Sequence, residues 1–271
     1  MATTDTIGFI GAGNMAEALI KGLLAQGYPA GSIVVADPSP ARQELMRDRY
    51  QVRVAAGNAA VAAQCRRLVL AIKPQMAAAV VPELAGSLTA EQLVVSILAG
   101  TATATLEQLL TGAPRVVRAM PNTPALVGCG ATAICAGRFA TADDLEAAGA
   151  LFQSVGSVCT VAEAQMDAVT GLSGSGPAYV FSVIEAMADG GVREGLSREI
   201  ALELATRTVL GAARLVAESG EEPAALRQKV CSPGGTTIAG LTALEDGKLS
   251  ATLIEAVSRA TKRSKELGQG S

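Results

Sequence analysis

The run Gly11-Ala12-Gly13-Asn14-Met15-Ala16 constrains this chain more than any other feature. It follows a short apolar stretch, Thr6–Ile10, that reads as a strand, and it opens an amphipathic stretch, Asn14–Gln26, that reads as a helix. In a strand–turn–helix of this kind Gly11 permits the tight turn, Gly13 lets a diphosphate approach the backbone, and Ala16 lets helix and strand pack closely. The exposed N–H groups and positive end of the helix then suit phosphate. The bland alternative is a Gly-rich βα turn that holds no ligand.

The residues that follow repeat the alternation. Apolar β-branched runs at Ile33–Ala36, Val52–Val54, Leu68–Ile72, Leu93–Ile97 and Val116–Ala119 alternate with Ala-rich helical stretches, the first at Pro40–Tyr50. Continuous apolar strands separated by helices imply a parallel sheet covered on both faces, so the fold class is α/β with an N-terminal Rossmann-type doubly wound sheet. Near residue 162 the β-branched alternation fades and helical periodicity takes over. The expected division is therefore residues 1–161 for a dinucleotide-binding domain and 162–271 for an all-α domain. In the second part Pro177 opens a long helix through about Ala188, with Val180, Phe181, Ile184 and Met187 on its buried side and Gly190-Gly191 ending or bending it. Ser197 caps the next, and three more helices are expected near Glu222–Val230, Thr236–Glu245 and Ser250–Leu267.

Ligands of such sheets bind beyond the carboxyl ends of the strands. Asp37 ends the second strand, where an acid accepts hydrogen bonds from the adenosine ribose and favours NAD; Ser39 and Arg42 just beyond it can cradle a 2′-phosphate if Asp37 turns away, and Asp37 can equally be a cap within Asp37-Pro38-Ser39-Pro40. Ala71, Lys73 and Pro74 end the fourth strand, Asn58 follows the third, and Asn122 follows the sixth, where it can orient the nicotinamide amide or merely turn the chain between prolines. With Gly11, Gly13, Asn14 and Met15 these are the candidate cofactor residues. In the helical part, Gly171-Leu-Ser-Gly-Ser-Gly-Pro177 and Ser232-Pro-Gly-Gly-Thr-Thr237 each place small residues and hydroxyls at a helix start, which suits a carboxylate; capping and close helix packing are the plainer alternative.

Composition excludes several classes. The chain of 271 residues has 49% hydrophobic and 17% charged residues, enough apolar material for a core and too little charge for a disordered chain. A net charge of −3 gives no basic face for nucleic acid. Without a single histidine, the commonest general acid–base and most zinc sites are gone, and no metal is expected. The five cysteines include no CxxC pair and are odd in number, which reads as small buried thiols in a reducing cytoplasm. No signal peptide is read at the start, and the longest apolar run, near residues 79–98, is broken by Pro82, Glu83 and Glu91, so no membrane span is expected.

The segment Leu226-Arg-Gln-Lys-Val-Cys-Ser-Pro-Gly-Gly-Thr-Thr-Ile-Ala-Gly-Leu-Thr-Ala-Leu-Glu245 resembles the hallmark segment of pyrroline-5-carboxylate reductases. Asp167–Tyr179, Ile10–Met15, Ala71–Pro74 and Arg118–Pro124 resemble four further motifs of that family, in family order, over about residues 7–245. The resemblance implies NADP(H) or NAD(H) as cofactor and reduction of 1-pyrroline-5-carboxylate to L-proline, the last step of proline biosynthesis. It implies a helical dimerisation domain, through which a homodimer forms and assembles further, for instance into a decamer. It also implies that the Ser232–Thr237 loop holds the substrate carboxylate, through Ser232, the backbone N–H groups of Gly234, Gly235 and Thr236, and the Thr237 hydroxyl near the ring nitrogen. This chain departs from many relatives in having Asp37 where a small polar residue is common, and Thr236 where Ala is common.

The missing groups fit imine chemistry. Carbonyl reduction needs a proton donor, usually His, Lys or Tyr. This chain has no His, and no Lys between Lys73 and Lys229, so it lacks the central helical lysine expected of 3-hydroxyacid dehydrogenases. A protonated cyclic imine is already electrophilic, and Thr237, the one catalytic candidate, need only hold or relay its proton while the cofactor is positioned. The alternatives are another imine reductase, a 3-hydroxyacid dehydrogenase of the same architecture, and a non-catalytic dinucleotide-sensing module.

Overall fold

The computed structural model describes residues 6–269. The chain divides into two compact units, the first comprising the described residues up to Ser175 and again from Arg259, the second Gly176–Ser258.

The first unit is built on one eight-stranded sheet. Its strands are β1 (Ile7–Ile10), β2 (Ile33–Ala36), β3 (Arg53–Val54), β4 (Arg67–Leu70), β5 (Leu93–Ser96), β6 (Arg115–Met120), β7 (Gly130–Ala136) and β8 (Gly156–Thr160), in the order β3-β2-β1-β4-β5-β6-β7-β8. Strands β1 to β6 pair in parallel, β7 runs antiparallel to β6, and β8 is parallel to β7. The helices are α1 (Asn14–Ala25), α2 (Pro40–Tyr50), α3 (Asn58–Gln64), α4 (Ala77–Ala85), α5 (Thr103–Leu110), α6 (Ala142–Gln153) and the short α7 (Met166–Val169). Alternate residues of each strand serve opposite faces. Phe9, Val35, Val69, Val95 and Val117 pack with Leu19 and Ile20 of α1 and Phe152 of α6. Ile10, Val34, Leu70, Val94 and Val116 pack with Val61 of α3, Val81 of α4 and Leu106 of α5. This two-sided burial is why the strands read as unbroken apolar runs, and it confirms the doubly wound architecture.

The sequence reading missed β7 and β8. Gly130-Ala-Thr-Ala-Ile-Cys-Ala136 and Gly156–Thr160 are rich in Gly, Ala and Cys and carry little strand propensity of their own. They become strands because β6 offers a free edge, where Met120 pairs with Ala133 and Val117 with Ala136, and β7 then templates β8. Beyond α7 the chain makes a π-turn, Thr170–Gly174, in which the Ser175 N–H donates to the Thr170 carbonyl at 2.9 Å.

The second unit contains α8 (Gly176–Arg193), α9 (Arg198–Ser219), α10 (Pro223–Lys229), α11 (Thr236–Asp246) and the start of α12 (Leu249–Gln269). Ser197 caps α9 as expected, its Oγ accepting from the Ile200 N–H at 3.3 Å. Gly190-Gly191, by contrast, does not end α8. A Cβ at Gly191 would lie 3.1 Å from that of Ala201, so this glycine serves close packing of α8 on α9, and the chain turns only at Gly195, with φ +100°. Ala188, Ala201 and Ala205 form that contact.

The burial expected along α8 is also not met within one chain. Val180, Phe181 and Met187 are 43%, 63% and 44% exposed, and on α9 Ile200 and Leu204 are 51% and 54% exposed. Helical periodicity identifies an apolar stripe but cannot say what covers it. The cysteines divide similarly: Cys65 and Cys135 are buried, with thiols that desolvation pushes up to about 11, whereas Cys129 and Cys159 are exposed. Among the described residues no helix is long and apolar enough to cross a membrane.

Candidate active site

The order β3-β2-β1-β4 places the switch point of the sheet between β1 and β4, and the candidate cofactor residues lie at that carboxyl edge. Gly11 donates its N–H to the Ala36 carbonyl at 2.8 Å, joining the ends of β1 and β2, and Ala71 donates to the Ile10 carbonyl at 2.8 Å, joining β1 and β4. Gly11 has φ +94°, and a Cβ there would stand 2.7 Å from the Ala71 carbonyl oxygen, so both conformation and space require glycine. Gly13 is different. It is the exposed N-cap of α1, no side chain caps that helix, and a Cβ would meet no protein atom within 4 Å. The first-turn N–H groups that follow, at Asn14 and Met15, have no capping side chain at the positive end of a helix, which suits a dinucleotide diphosphate.

Beneath this loop lies a polar network that sequence reading did not find. Asp37 Oδ2 accepts from the Ala12 N–H and Oδ1 from the Ser39 N–H, both at 2.8 Å, so the carboxylate caps its own turn and also holds the glycine loop. Arg42 Nε donates to the Ala12 carbonyl at 2.5 Å, so Ala12 is held at both its N–H and its carbonyl. The same guanidinium pairs with Glu17 Oε2 at 2.7 Å, and the Tyr50 hydroxyl donates to Glu17 Oε1 at 2.7 Å. Burial works to raise the Glu17 carboxyl, but the hydrogen bonds from Tyr50 and Arg42 outweigh it and hold the group below its ordinary value. Burial and the bond to Glu17 raise the Tyr50 hydroxyl. These partners lie 25 and 33 residues apart, beyond any local pattern.

The other candidates share the same edge. Lys73 is exposed before the 3₁₀ turn Pro74–Met76, and Asn58 opens α3 after Gly57. Asn122 follows β6, but its amide is already engaged: Oδ1 accepts from the Ala131 N–H at 2.9 Å, and Nδ2 donates to the Ser173 carbonyl at 3.1 Å. It thereby ties the loop after β6 to the π-turn, where a Cβ on Gly174 would crowd Met120 at 2.6 Å. The first part of the second Gly-rich motif thus belongs to the sheet unit.

In the helical unit, Ser232–Thr237 leads into α11. The Gly235 N–H donates to the Ser232 carbonyl at 3.0 Å, Gly234 takes φ +66°, and Gly235 is the N-cap with no side chain capping the helix. The first-turn N–H groups, at Thr236 and Thr237, have no capping side chain, and Ser232, Gly234 and Thr236 are exposed while Gly235 and Thr237 are half-buried. A carboxylate placed there meets donors and a favourable helix dipole.

A pyrroline-5-carboxylate reductase dimerisation model matches residues 163–267. The pyrroline-5-carboxylate reductase of a Synechocystis strain is 49% identical over 97% of this chain and 98% of its own length. This chain belongs to the pyrroline-5-carboxylate reductase family. The Arabidopsis thaliana reductase is 44% identical over 99% of this chain and 97% of its own. Among solved structures, the reductase from Coxiella burnetii superposes with a TM-score of 0.92 at 39% identity, covering 98% of this chain and 99% of that one. The Plasmodium falciparum reductase, solved with NADP bound, gives 0.88 at 32% identity, covering 97% and 98%. A second family model, NADP oxidoreductase coenzyme F420-dependent, matches residues 6–100, the segment that carries the glycine loop and the Asp37 network. The Aquifex aeolicus prephenate dehydrogenase, with a TM-score of 0.55 at 14% identity, shares the fold alone.

Proposed function

We infer that this protein reduces 1-pyrroline-5-carboxylate to L-proline with NADPH or NADH. Near-full-length identity to reductases of that name carries the reading, and the two open helix starts, at Gly13 and at Gly235, suit the two anions the reaction must hold, a diphosphate and a carboxylate. When bound, the reduced nicotinamide supplies a hydride from C4. The remaining tasks fall to the chain. The Gly11–Met15 loop, braced by Asp37 and Arg42, fixes the diphosphate; Asn58, Ala71, Lys73 and Pro74 line the same edge; and Asn122 holds the π-turn against the loop after β6. The Ser232–Thr237 loop holds the carboxylate through backbone N–H groups, and the Thr237 hydroxyl faces the ring nitrogen, where it holds or relays the imine proton. With no histidine and no strong acid assigned, catalysis is mainly positioning of an already electrophilic carbon.

Oxidation of NADPH and NADH at 340 nm in the presence of pyrroline-5-carboxylate tests the reading; binding of cofactor with no turnover would favour the sensing module instead. Thr237→Ala is expected to lower kcat/KM at least about tenfold, or ~1.4 kcal/mol of transition-state stabilisation. An unchanged value would remove Thr237 from the chemistry.

A homodimer through the helical unit is part of the same proposal, supported by the match to the dimerisation model and by the uncovered apolar residues of α8 and α9. So is a cytoplasmic location, supported by five cysteines of which none is paired.

A further inference from the structure

We propose that Glu17, acting through Arg42, makes this enzyme prefer NAD(H) over NADP(H); the inference rests on the reductase reading above and concerns only the adenosine end of the cofactor. The two coenzymes differ by one phosphate on the adenosine ribose, and in a doubly wound fold that ribose lies at the carboxyl end of β2. In this chain two groups of opposite charge stand there, Asp37 and Arg42, and residue type alone leaves open which of them governs.

The hydrogen bonds decide between them. Asp37 is fixed by two backbone N–H groups at 2.8 Å, one to each carboxylate oxygen. Each oxygen keeps a further lone pair, so the group can still accept a ribose hydroxyl, while a phosphate beside it would meet a fixed negative charge. Arg42 is the cation that could offset that charge, but it is committed elsewhere. Its Nε is bound to the Ala12 carbonyl and its Nη2 to Glu17, whose second oxygen is held by Tyr50. The ion pair is partly buried, with side chains 26% and 20% exposed, so solvent screens it incompletely. These bonds use two of the five guanidinium donors; what they remove is charge, since Glu17 already neutralises the cation that a 2′-phosphate would need. Arg49 stacks on the Tyr50 ring at 5.5 Å. An acid in the first turn of α1 would by itself be explained by the helix dipole, but the shared grip of Arg42 and Tyr50 on Glu17 is not required for that.

The test is calorimetric titration of the full chain with NAD⁺ and with NADP⁺ separately, in the absence of any pyrroline. The wild type is expected to bind NAD⁺ at least fivefold more tightly. Glu17→Gln keeps the shape of the side chain and an acceptor for Tyr50 but frees the guanidinium, and should move the affinity ratio at least fivefold toward NADP⁺; adding Arg42→Gln should take that gain away. A merely structural role would weaken both ligands together and leave the ratio alone. Should Glu17→Gln fail to fold, Glu17→Met, which removes the charge at similar length, is expected to move the ratio in the same direction. Equal or tighter NADP⁺ binding by the wild type, or a ratio that the Glu17 substitution leaves unmoved, overturns the proposal while leaving the reductase reading intact. Failure of both dinucleotides to bind overturns the two together.

Discussion

Gly11→Ala is expected to weaken dinucleotide binding about 30- to 150-fold, the equivalent of about 2–3 kcal/mol. Two costs combine. An alanine at φ +94° adopts a backbone region that costs an L-residue about 1–3 kcal/mol. Its Cβ would also stand 2.7 Å from the Ala71 carbonyl oxygen, a backbone atom held in place by the pairing of β1 with β4, so no side-chain movement relieves the contact. The turn must open, and with it the spacing of the N–H groups that face the diphosphate. Gly13→Ala provides the control. There a Cβ meets no protein atom within 4 Å, so the melting temperature should hold while affinity falls through the lost approach of the ligand alone. The chain has no tryptophan, so binding is best followed by enhancement of bound NADH fluorescence or by calorimetry. Wild-type affinity in Gly11→Ala would show that the loop does not hold the cofactor.

On the proposed homodimer, Phe181→Asp should leave a monomer at micromolar concentration, raising the dissociation constant at least about a hundredfold. Phe181 is 63% exposed on α8, near Val180 at 43%, and the neighbouring helix leaves Ile200 and Leu204 more than half exposed. Buried aromatic anchors at interfaces typically contribute about 2 kcal/mol or more, and a two-fold interface contains the site twice, so a buried carboxylate there is penalised twice. Light scattering coupled to size exclusion reads the mass directly. The wild-type melting temperature should also rise with protein concentration, and that dependence should disappear in the variant. A variant that remains dimeric would place the interface elsewhere on the helical unit.

These two expectations also mark what could be read from the chain alone. The turn at Gly11 was legible because its constraint is local: a strand, two glycines and a helix start within ten residues. The six parallel strands were legible for a similar reason, since burial on both faces writes a continuous apolar run. Strands β7 and β8 were not, because Ala, Gly and Cys acquire strand geometry only from the edge that β6 presents. The stripe of α8 reads as a buried side, and Ile184 is half-buried, but Val180, Phe181 and Met187 are exposed within one chain, because periodicity records that a face is apolar and not what covers it. Gly190-Gly191 resembled a stop but is a contact, a distinction that depends on Ala201 of another helix. At the site, residue types suggest two roles for Asp37 and one, a phosphate cradle, for Arg42. Only distances to Ala12, Ser39 and Glu17, scattered over the first 42 residues, show how those side chains are spent.

The two ends of the sheet differ in how they resist unwanted association. At one end β3 contributes only two residues, one of them Arg53, and offers a stray strand almost nothing to pair with. At the other, β8 runs for five residues, Gly156-Ser-Val-Cys-Thr160, with no charge and no proline. That margin is where cross-chain pairing would start during concentration or partial unfolding, and the exposed Cys159 within it would make such contacts permanent under oxidising conditions. Handling with a reductant, or a lysine at an outward position of β8, guards the vulnerable margin without touching the cofactor edge.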